Sequence, residues 1–396
     1  MDSLTDLRRV IRRLEGTRPR RPAPEPVERI VGGDLLETGA GVLLRVRRTI
    51  PRTHRHGRYG LGDGCEVTPS LIALLARTGE RPPDGRILFL DLETTGLAGG
   101  TGTYAFLVGV GFAEGDTFVV EQYFMRDFDE EPALLAALDP LLARAAAVVT
   151  FNGTGFDLPL LETRFILERR RWPKILHVDL LAPARRVWSA TLADCRLPTL
   201  EREVLGLERA NDVSGWEIPA RFFAYLRDRE AVRLRPVFAH NADDILSMVA
   251  LLGWWARALE GDALRLTAAE MAGLGRFWER IDVERSAEWY HAALGAGLDG
   301  PFALWVRLRL AWWEKRRARW DAARALWEAA TRAERFDPRP WEELAKFHEH
   351  RRRDVSAAYD LVSTALEMAR LAPVSTRVVE ALVYRQTRLQ RRRGAR

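Results

Sequence analysis

The stretch Ile-Leu-Phe-Leu-Asp-Leu-Glu-Thr-Thr-Gly-Leu, residues 87–97, decides how this chain is interpreted. Its first four residues are apolar and rich in strand formers, which is typical of a strand buried on both faces. Asp91 and Glu93 follow at once, and their side chains leave the strand on one face because strand residues alternate. Two neighbouring carboxylates repel each other, and a divalent cation between them removes that repulsion. The alternative is a strand that ends in solvent, with residues 94–96 as an ordinary turn.

A third acid, Asp157, closes the motif Phe-Asn-Gly-Thr-Gly-Phe-Asp of residues 151–157. Residues 148–151 predict a strand, and an Asn-Gly turn follows it. Asp157 then begins an apolar stretch with helical spacing, in which Pro159 suits the first turn. One interpretation makes Asp157 a metal ligand at the start of this helix. The other makes it the cap of the helix, a role that short acidic side chains often have.

The last motif is His-Asn-Ala-Asp-Asp-Ile-Leu, residues 240–246, on a predicted helix. His240 and Asp244 are four residues apart and therefore share one face of that helix. Asp244 borders the apolar stripe, whereas Asp243 leads to a weaker face. We therefore predict Asp244 as the ligand and Asp243 as its solvated neighbour. The alternative is an ordinary surface pair of a histidine and an aspartate.

Together the three motifs predict a metal-dependent nuclease. Each motif alone has a structural explanation, but three such coincidences in this order and on these predicted elements are improbable. Four carboxylates are the set that two divalent cations need to cut a phosphodiester bond. Carboxylate oxygens suit hard cations such as Mg²⁺, and the sequence has no Cys or His cluster that would indicate zinc.

The same residues resemble the DEDD superfamily of ribonuclease-H-like nucleases, which includes polymerase proofreading domains. DLETTGL, FNGTGFD and HNADD are similar to its three exonuclease motifs. The stretches LETTGLAGGTGTYAFLVGVGF, EQYF, VVTFNGTGFDLPLLETR, VDLLAPAR and HNADDIL resemble the YprB-type ribonuclease-H-like family of bacteria, over about residues 84–255. The resemblance implies two Mg²⁺ or Mn²⁺ ions and removal of nucleotides from a 3′ end. The metal ligands that it implies are Asp91, Glu93, Asp157 and Asp244.

The resemblance also concerns residues around the ligands. Proofreading enzymes with a catalytic His usually place it five residues before the last Asp, and those with a Tyr place it four before; His240 takes the Tyr spacing. His240 is a candidate to orient or deprotonate the attacking water, since an imidazole titrates near neutrality. The residues predicted to support the ligands or to contact substrate are Thr94, Asn152 and Asp179. Arg209 and Asp212 also match family positions, and a fold-stabilising salt bridge is the simplest expectation for them.

The order of the predicted elements indicates an α/β ribonuclease-H-like domain with a central mixed sheet. After the strand of Asp91, residues 104–112 and 117–124 form two strand-like runs joined by a hairpin turn. A helix at about 131–145, a strand, a second helix and a strand at 175–181 follow. The remaining residues of the domain are predicted to be helical.

We predict three regions along the chain: an N-terminal extension at 1–83, the exonuclease domain at 84–258 and a helical repeat domain at 262–396. The extension begins with a basic amphipathic helix and a linker rich in Pro and Arg. In the last region, residues 320–327 align with residues 354–361 at an offset of 34, which resembles tetratricopeptide repeats. Such arrays usually bind peptides or proteins and so imply a protein partner. A helical lid without a partner is the alternative.

The composition adds weaker constraints. The 396 residues carry a formal net charge of +6, which suits a polyanionic partner such as DNA or RNA. The two cysteines, Cys65 and Cys195, are too few for a disulfide framework. No stretch approaches the length of a membrane span, so we expect a cytoplasmic protein without a membrane partner.

Two functions are compatible with these observations. The first is a divalent-metal-dependent 3′–5′ exonuclease whose helical region recruits a partner or positions substrate. The second is a catalytically silent nucleic-acid-binding or scaffold protein that acts through its helical repeats. The presence of all four acids favours turnover. No motif distinguishes DNA from RNA, because that choice depends on contacts to the sugar.

Overall fold

The computed structural model describes residues 24–96, 102–210, 212–260 and 265–394. The predicted N-terminal amphipathic helix and most of the predicted linker lie outside these residues. Contacts between Cα atoms divide the chain into two compact units. The first comprises Met1–Leu181 and Arg196–Gly261, and the second comprises Ala182–Cys195 and Asp262–Arg396.

The described residues form nine strands and sixteen α-helices. The strands are β1 (Asp34–Thr38), β2 (Gly41–Pro51), β3 (Arg55–His56), β4 (Tyr59–Gly60), β5 (Arg86–Thr94), β6 (Ala105–Glu114), β7 (Thr117–Phe124), β8 (Ala145–Thr150) and β9 (His177–Asp179). The helices up to residue 260 are α1 (Val27–Val31), α2 (Leu61–Cys65), α3 (Pro69–Ala76), α4 (Glu131–Ala143), α5 (Asp157–Leu167), α6 (Leu181–Trp188), α7 (Leu197–Leu200), α8 (Ile218–Asp228) and α9 (Arg235–Glu260). Those after it are α10 (Ala268–Trp278), α11 (Val283–Gly295), α12 (Gly300–Arg316), α13 (Trp320–Ala330), α14 (Pro338–Phe347), α15 (Val355–Leu371) and α16 (Thr376–Gly394). None of these helices combines the length and the apolar character that crossing a bilayer requires.

Seven strands of the first unit form one mixed sheet in the order β1-β2-β7-β6-β5-β8-β9. The strand that carries the first motif, β5, is inside this sheet, where it pairs antiparallel with β6 and parallel with β8. Its apolar residues Leu88, Phe89 and Leu90 are buried, as expected for a strand covered on both faces. The predicted α/β fold with a central mixed sheet is therefore confirmed.

The N-terminal extension predicted at residues 1–83 contributes two strands, β1 and β2, to this sheet. β2 pairs antiparallel with β7 from Leu44 opposite Phe124 to Pro51 opposite Thr117. The start of β2 is apolar, and Leu44 is completely buried. A strand with such residues stabilises the sheet by covering the edge of β7, whose backbone groups would otherwise lack partners.

The long helix α9 packs against β5, β6 and β7. Glycines on β6 permit a close approach, since a Cβ at Gly111 would lie 2.4 Å from a methyl carbon of Ile245. Aromatic rings pack in the core of the same unit, where the rings of Phe106 and Phe222 stack with centroids 4.1 Å apart. The third motif, which lies on α9, is thereby held close to the strands that carry the first.

The second unit consists of paired helices, in which α10 packs against α11, α12 against α13 and α15 against α16. Ala311 and Ala345, which share the predicted offset of 34 residues, are both completely buried. Further along, the corresponding buried alanines are Ala323 and Ala358, an offset of 35 residues. A π-helical turn at His348–Arg352 lies between them. Such a turn holds one extra residue, which explains the shift of the buried positions by one.

Candidate active site

The end of β5 presents the first two predicted ligands. Asp91 lies opposite Gly109 of β6, and the register of this pairing shifts between Glu93 and Thr94. Glu93 exposes only 7% of its surface. Its Oε1 atom is buried and has no hydrogen-bond partner among the residues that the structure describes. A buried carboxylate oxygen in this situation is costly unless a cation neutralises it.

A buried amide holds Asp91 in place. Nδ2 of Asn241 donates to Oδ2 of Asp91 at 2.8 Å and to its backbone carbonyl at 3.2 Å. Nε2 of Gln122 donates to Oδ1 of Asn241 at 2.8 Å, which sets the orientation of the amide. A Cβ at Gly109 would lie 2.3 Å from the same Oδ1 atom, so a glycine is needed there. Asn241 was not among the predicted site residues, although it stands between two of them in the third motif.

Asp157 is the first residue of α5 and exposes 8% of its surface. The cap position is Phe156, which provides no side-chain hydrogen bond, so Asp157 is not the cap of this helix. The loop before α5 is fastened by Asp179, at the end of β9. One oxygen of Asp179 accepts from the backbone N–H of Asn152 at 2.8 Å, and the other accepts from that of Thr154 at 3.1 Å. Asp179 therefore supports the loop that leads to Asp157.

Asp244 and His240 lie on the same face of α9, beside Arg209. Nη2 of Arg209 donates to Oδ1 of Asp244 at 2.5 Å. Nδ1 of His240 lies 2.7 Å from Oδ1 of Asp212. An ionised carboxylate can only accept, so Nδ1 carries the proton and Nε2 is the basic nitrogen of the ring. Nε2 lies 3.8 Å from Oδ2 of Asp244, which directs the basic nitrogen towards a predicted ligand.

Arg209 is more central to this site than the sequence indicated. The salt bridge to Asp212 is present at 3.5 Å, but shorter ion pairs join Arg209 to Asp244 and to Glu201. Glu201 is buried, exposing 2% of its surface, and also accepts from the Ser247 hydroxyl. No signal in the sequence singled out Glu201, because an acidic residue in a helical stretch is usually at the surface.

One cavity of about 520 Å³, which we name the acidic cavity, brings these side chains together. The predicted site residues that line it are Asp91, Glu93, Thr94, Asn152, Asp157, His240 and Asp244. Asp243 and Asp179 do not line this cavity. Asp179 acts on it through the loop before α5, and Asp243 is half-buried on the neighbouring part of α9.

Burial and mutual repulsion raise the pKa values of three carboxyl groups in the cavity. The pKa of Asp91 lies well above its ordinary value, first because burial disfavours the charged form and then because Asp244 and Asp157 carry like charges. The pKa of Glu93 is raised by burial and by the charge of Asp91. Burial, together with the charge of Asp179, raises the pKa of Asp157 to about 7. A divalent cation would offset the repulsion and the lost solvation of all three carboxylates.

The donor set fits a hard divalent cation. It consists of carboxylate oxygens, and the unpartnered Oε1 of Glu93 is available to an ion. Within the described ranges, no three His, Cys, Asp or Glu side chains already form a metal-binding cluster. The side chain of Asp244 is directed to Arg209 instead. Coordination of one ion by three of the carboxylates therefore requires side-chain rotation in the cavity.

We expect the metal-free protein to lose stability as the pH rises from about 4 to about 7, partly through Asp157. The pKa of this group is about 7 in the folded protein against an ordinary value of 3.8. Between these values the folded state holds a proton that the unfolded state releases, so rising pH favours unfolding, by about 1.4 kcal/mol per pH unit for one such group. Urea unfolding in chelator at several pH values measures this slope. Asp157→Asn should flatten it, and an equal slope in the variant would contradict the assignment.

The part of the chain that contains this site is similar in sequence to known proteins. A family model of the RNase H superfamily matches residues 88–256, which include every residue that lines the acidic cavity. The chain is 30% identical over 356 residues to a protein of Bacillus subtilis (strain 168) named "Uncharacterized protein YprB", and the match covers 86% of this chain and 84% of YprB. The likeness thus extends through both compact units. On this sequence match and on its mixed sheet, the chain belongs to the RNase H superfamily, in the family of YprB.

Proposed function

We propose that the protein is a divalent-metal-dependent 3′–5′ exonuclease that hydrolyses phosphodiester bonds of DNA or RNA with two Mg²⁺ or Mn²⁺ ions. Membership of the RNase H superfamily indicates nuclease activity and a nucleic-acid substrate. The observation that carries the finer proposal is the convergence of four carboxylates and one histidine on a single cavity. The 3′ direction rests on the resemblance of the three motifs to the DEDD exonucleases.

In this proposal Asp91, Glu93, Asp157 and Asp244 would hold the ions. When bound, the ions activate water and stabilise the charge that develops on the leaving oxygen. Asn241 restricts rotation of the Asp91 carboxyl group, since it engages both Oδ2 and the backbone carbonyl of that residue. Asp179 restrains the loop before Asp157 in the same way.

His240 has a separate part in the proposed reaction. Its Nδ1–H group donates to Asp212, so the lone pair of Nε2 can accept a proton from the attacking water. The ring is held by this hydrogen bond; the Nη1 atom of Arg209 lies 3.3 Å from Nδ1 but can only donate, so it adds no second hydrogen bond to the protonated nitrogen. Exact placement matters because a general base must come within hydrogen-bond reach of the proton that it removes.

An assay on end-labelled substrates tests the proposal. Single- and double-stranded DNA and RNA, labelled at the 5′ end, are incubated with chelator-stripped protein and added Mg²⁺ or Mn²⁺. We expect a ladder of products shortened from the 3′ end and no cleavage of circular substrates. Cleavage of circles would refute the exonuclease assignment. Retained binding without any turnover would favour the silent scaffold instead.

Added Mn²⁺ or Mg²⁺ should stabilise the folded protein, by about 2.7 kcal/mol at 100 times the dissociation constant. Asp244→Asn should weaken this response, because Asp244 lines the acidic cavity. Asp243→Asn is the matched control, since it makes the same change one residue away on the same helix. Thermal melts with and without metal measure the difference. The opposite ranking of the two variants would show that Asp243 is the ligand.

A further inference from the structure

The second unit contains a cavity of about 640 Å³ whose walls are cationic and aromatic. We name it the basic groove and define it by Lys315, Trp320, Lys346, Arg351, Tyr384 and Arg388. Its lining includes five Lys or Arg side chains against two Glu side chains. Packing of the helices against one another does not require charged and aromatic side chains here, because the buried alanines lie at the helix contacts.

The ion pairs of the basic groove leave positive charge uncompensated. Glu343 lies between two ammonium groups, at 2.5 Å from Nζ of Lys315 and 2.7 Å from Nζ of Lys346. The buried carboxylate of Glu349 contacts the guanidinium groups of Arg385, Arg388 and Arg392. Glu342, the other acid of the lining, lies 4.0 Å from Nζ of Lys346. Three carboxylates are thus set against the five Lys or Arg side chains of the lining and Arg392. The excess positive charge is available to a polyanion. The buried carboxylate of Glu349 holds its arginine partners in fixed positions.

Two aromatic side chains stand beside these charges. Tyr384 on α16 exposes 74% of its surface, so its ring is accessible to a planar ligand. The guanidinium of Arg351 lies over the ring of Trp320 at 4.1 Å from its centroid. Exposed rings and guanidinium planes are the surfaces on which unpaired bases stack.

The arginines of α16 continue the groove as a row. Arg385, Arg388 and Arg392 are three and four residues apart and so lie on one face, about 5 Å from one to the next. A row of this spacing can follow the phosphates of an extended strand. Base stacking and a phosphate row are both properties of a nucleic acid, whereas an acidic peptide would need only the charges.

We propose that the basic groove binds single-stranded nucleic acid, with phosphates against its Lys and Arg side chains and a base against Tyr384. The groove lies outside the acidic cavity and needs no metal ion. Binding of nucleic acid in the groove can therefore be measured without any cleavage. Nucleic-acid binding by the groove and exonuclease activity of the acidic cavity can thus be tested independently.

Fluorescence anisotropy of the full chain tests this proposal. The probes are oligo-dT and oligo-U of about 20 nucleotides, a length that spans several stacking sites, and polyglutamate serves as the acidic peptide. Chelator is present throughout, so no metal-dependent cleavage occurs during the measurement. Arg351→Glu and Tyr384→Ala test the groove. Arg335→Glu is the matched control, because Arg335 is exposed, lies in the same unit and is not part of the groove lining.

We expect Arg351→Glu and Tyr384→Ala each to weaken oligonucleotide binding by about tenfold or more. Arg335→Glu should change the affinity by less than about twofold, and Arg351→Glu should also reduce the salt dependence. Equal circular dichroism and melting temperature of the three variants exclude misfolding. Polyglutamate that binds as tightly as the oligonucleotides would overturn the proposal in favour of an acidic protein partner. Unchanged oligonucleotide affinity in both groove variants would also overturn it.

Discussion

Replacing Asp91 by Asn is expected to reduce metal-dependent cleavage by at least about 100-fold, since even residues outside the ligand set commonly contribute about 10- to 100-fold. The substitution keeps the size of the side chain and a hydrogen-bond acceptor for Asn241, so the fold should persist. It removes the negative charge with which Asp91 would hold metal in the proposed mechanism. Asp157→Asn should have a comparable effect, because the side chain of Asp157 lines the same cavity.

The stability of the Asp91→Asn variant provides a readout besides activity. Burial and two like charges oppose the ionised form of Asp91, so a neutral amide should make the metal-free protein at least as stable near neutral pH. The same variant should gain less from added Mn²⁺ than the unchanged protein. Calorimetric melts with and without chelator measure both differences, with Asp243→Asn as the control. Full cleavage by both Asp91→Asn and Asp157→Asn, after chelator treatment and with added Mg²⁺, would refute the ligand assignment.

Replacing Arg209 by Leu is expected to lower the free energy of unfolding by about 3–5 kcal/mol, the usual cost of breaking a buried ion pair from one side. Arg209 is the cation between Glu201 and Asp244, and the side chains of Arg209 and Glu201 expose only 8% and 2% of their surfaces. Without the guanidinium, the Glu201 carboxylate would remain buried and, among the described residues, would keep the Ser247 hydroxyl as its side-chain donor. Urea unfolding at neutral pH measures the loss.

Two further variants separate the charge of Arg209 from its shape. Arg209→Lys keeps the charge but has a shorter reach and lacks the second nitrogen, Nη1, that contacts Asp212, so we expect an intermediate loss. In a Glu201→Gln background the cost of Arg209→Leu should fall by at least about 1 kcal/mol, because the stranded charge is gone. An unchanged cost in that background would show that the ion pair is not what makes Arg209 important for stability.

Local patterns were sufficient where an element is long and bounded by turns. Residues 117–124 were predicted as a strand, and β7 spans Thr117–Phe124, because an Ala-Glu-Gly-Asp turn marks its beginning. The helix predicted at about 131–145 is α4, Glu131–Ala143. The strand predicted at 175–181 is shorter, since β9 spans His177–Asp179 at the edge of the sheet. There, only three residues pair with β8, and no local signal marks where pairing stops.

Contacts between distant segments were less accessible from the sequence. Residues 27–83 carry no motif that indicates strand order, yet β2 covers the edge of β7. Ala182–Cys195 follows directly on the β9 region but clusters with the residues after 262. Within that unit, a Cβ at Gly273 would lie 2.3 Å from the carbonyl oxygen of Val187. Such close packing depends on complementary surfaces that are far apart in the chain.

The sequence by itself determined the types and the order of the acidic residues and the elements on which they lie, because strand and helix periodicity are local properties. The α/β class follows from the same patterns. Only the tertiary structure decided which groups surround each acid: Asn241 beside Asp91, and Arg209 with Glu201 beside Asp244. These neighbours depend on sheet order and on the close crossing of α9 over β6. Both arise from long-range packing, in which a residue's partner is set by the whole fold and not by its neighbours in the chain.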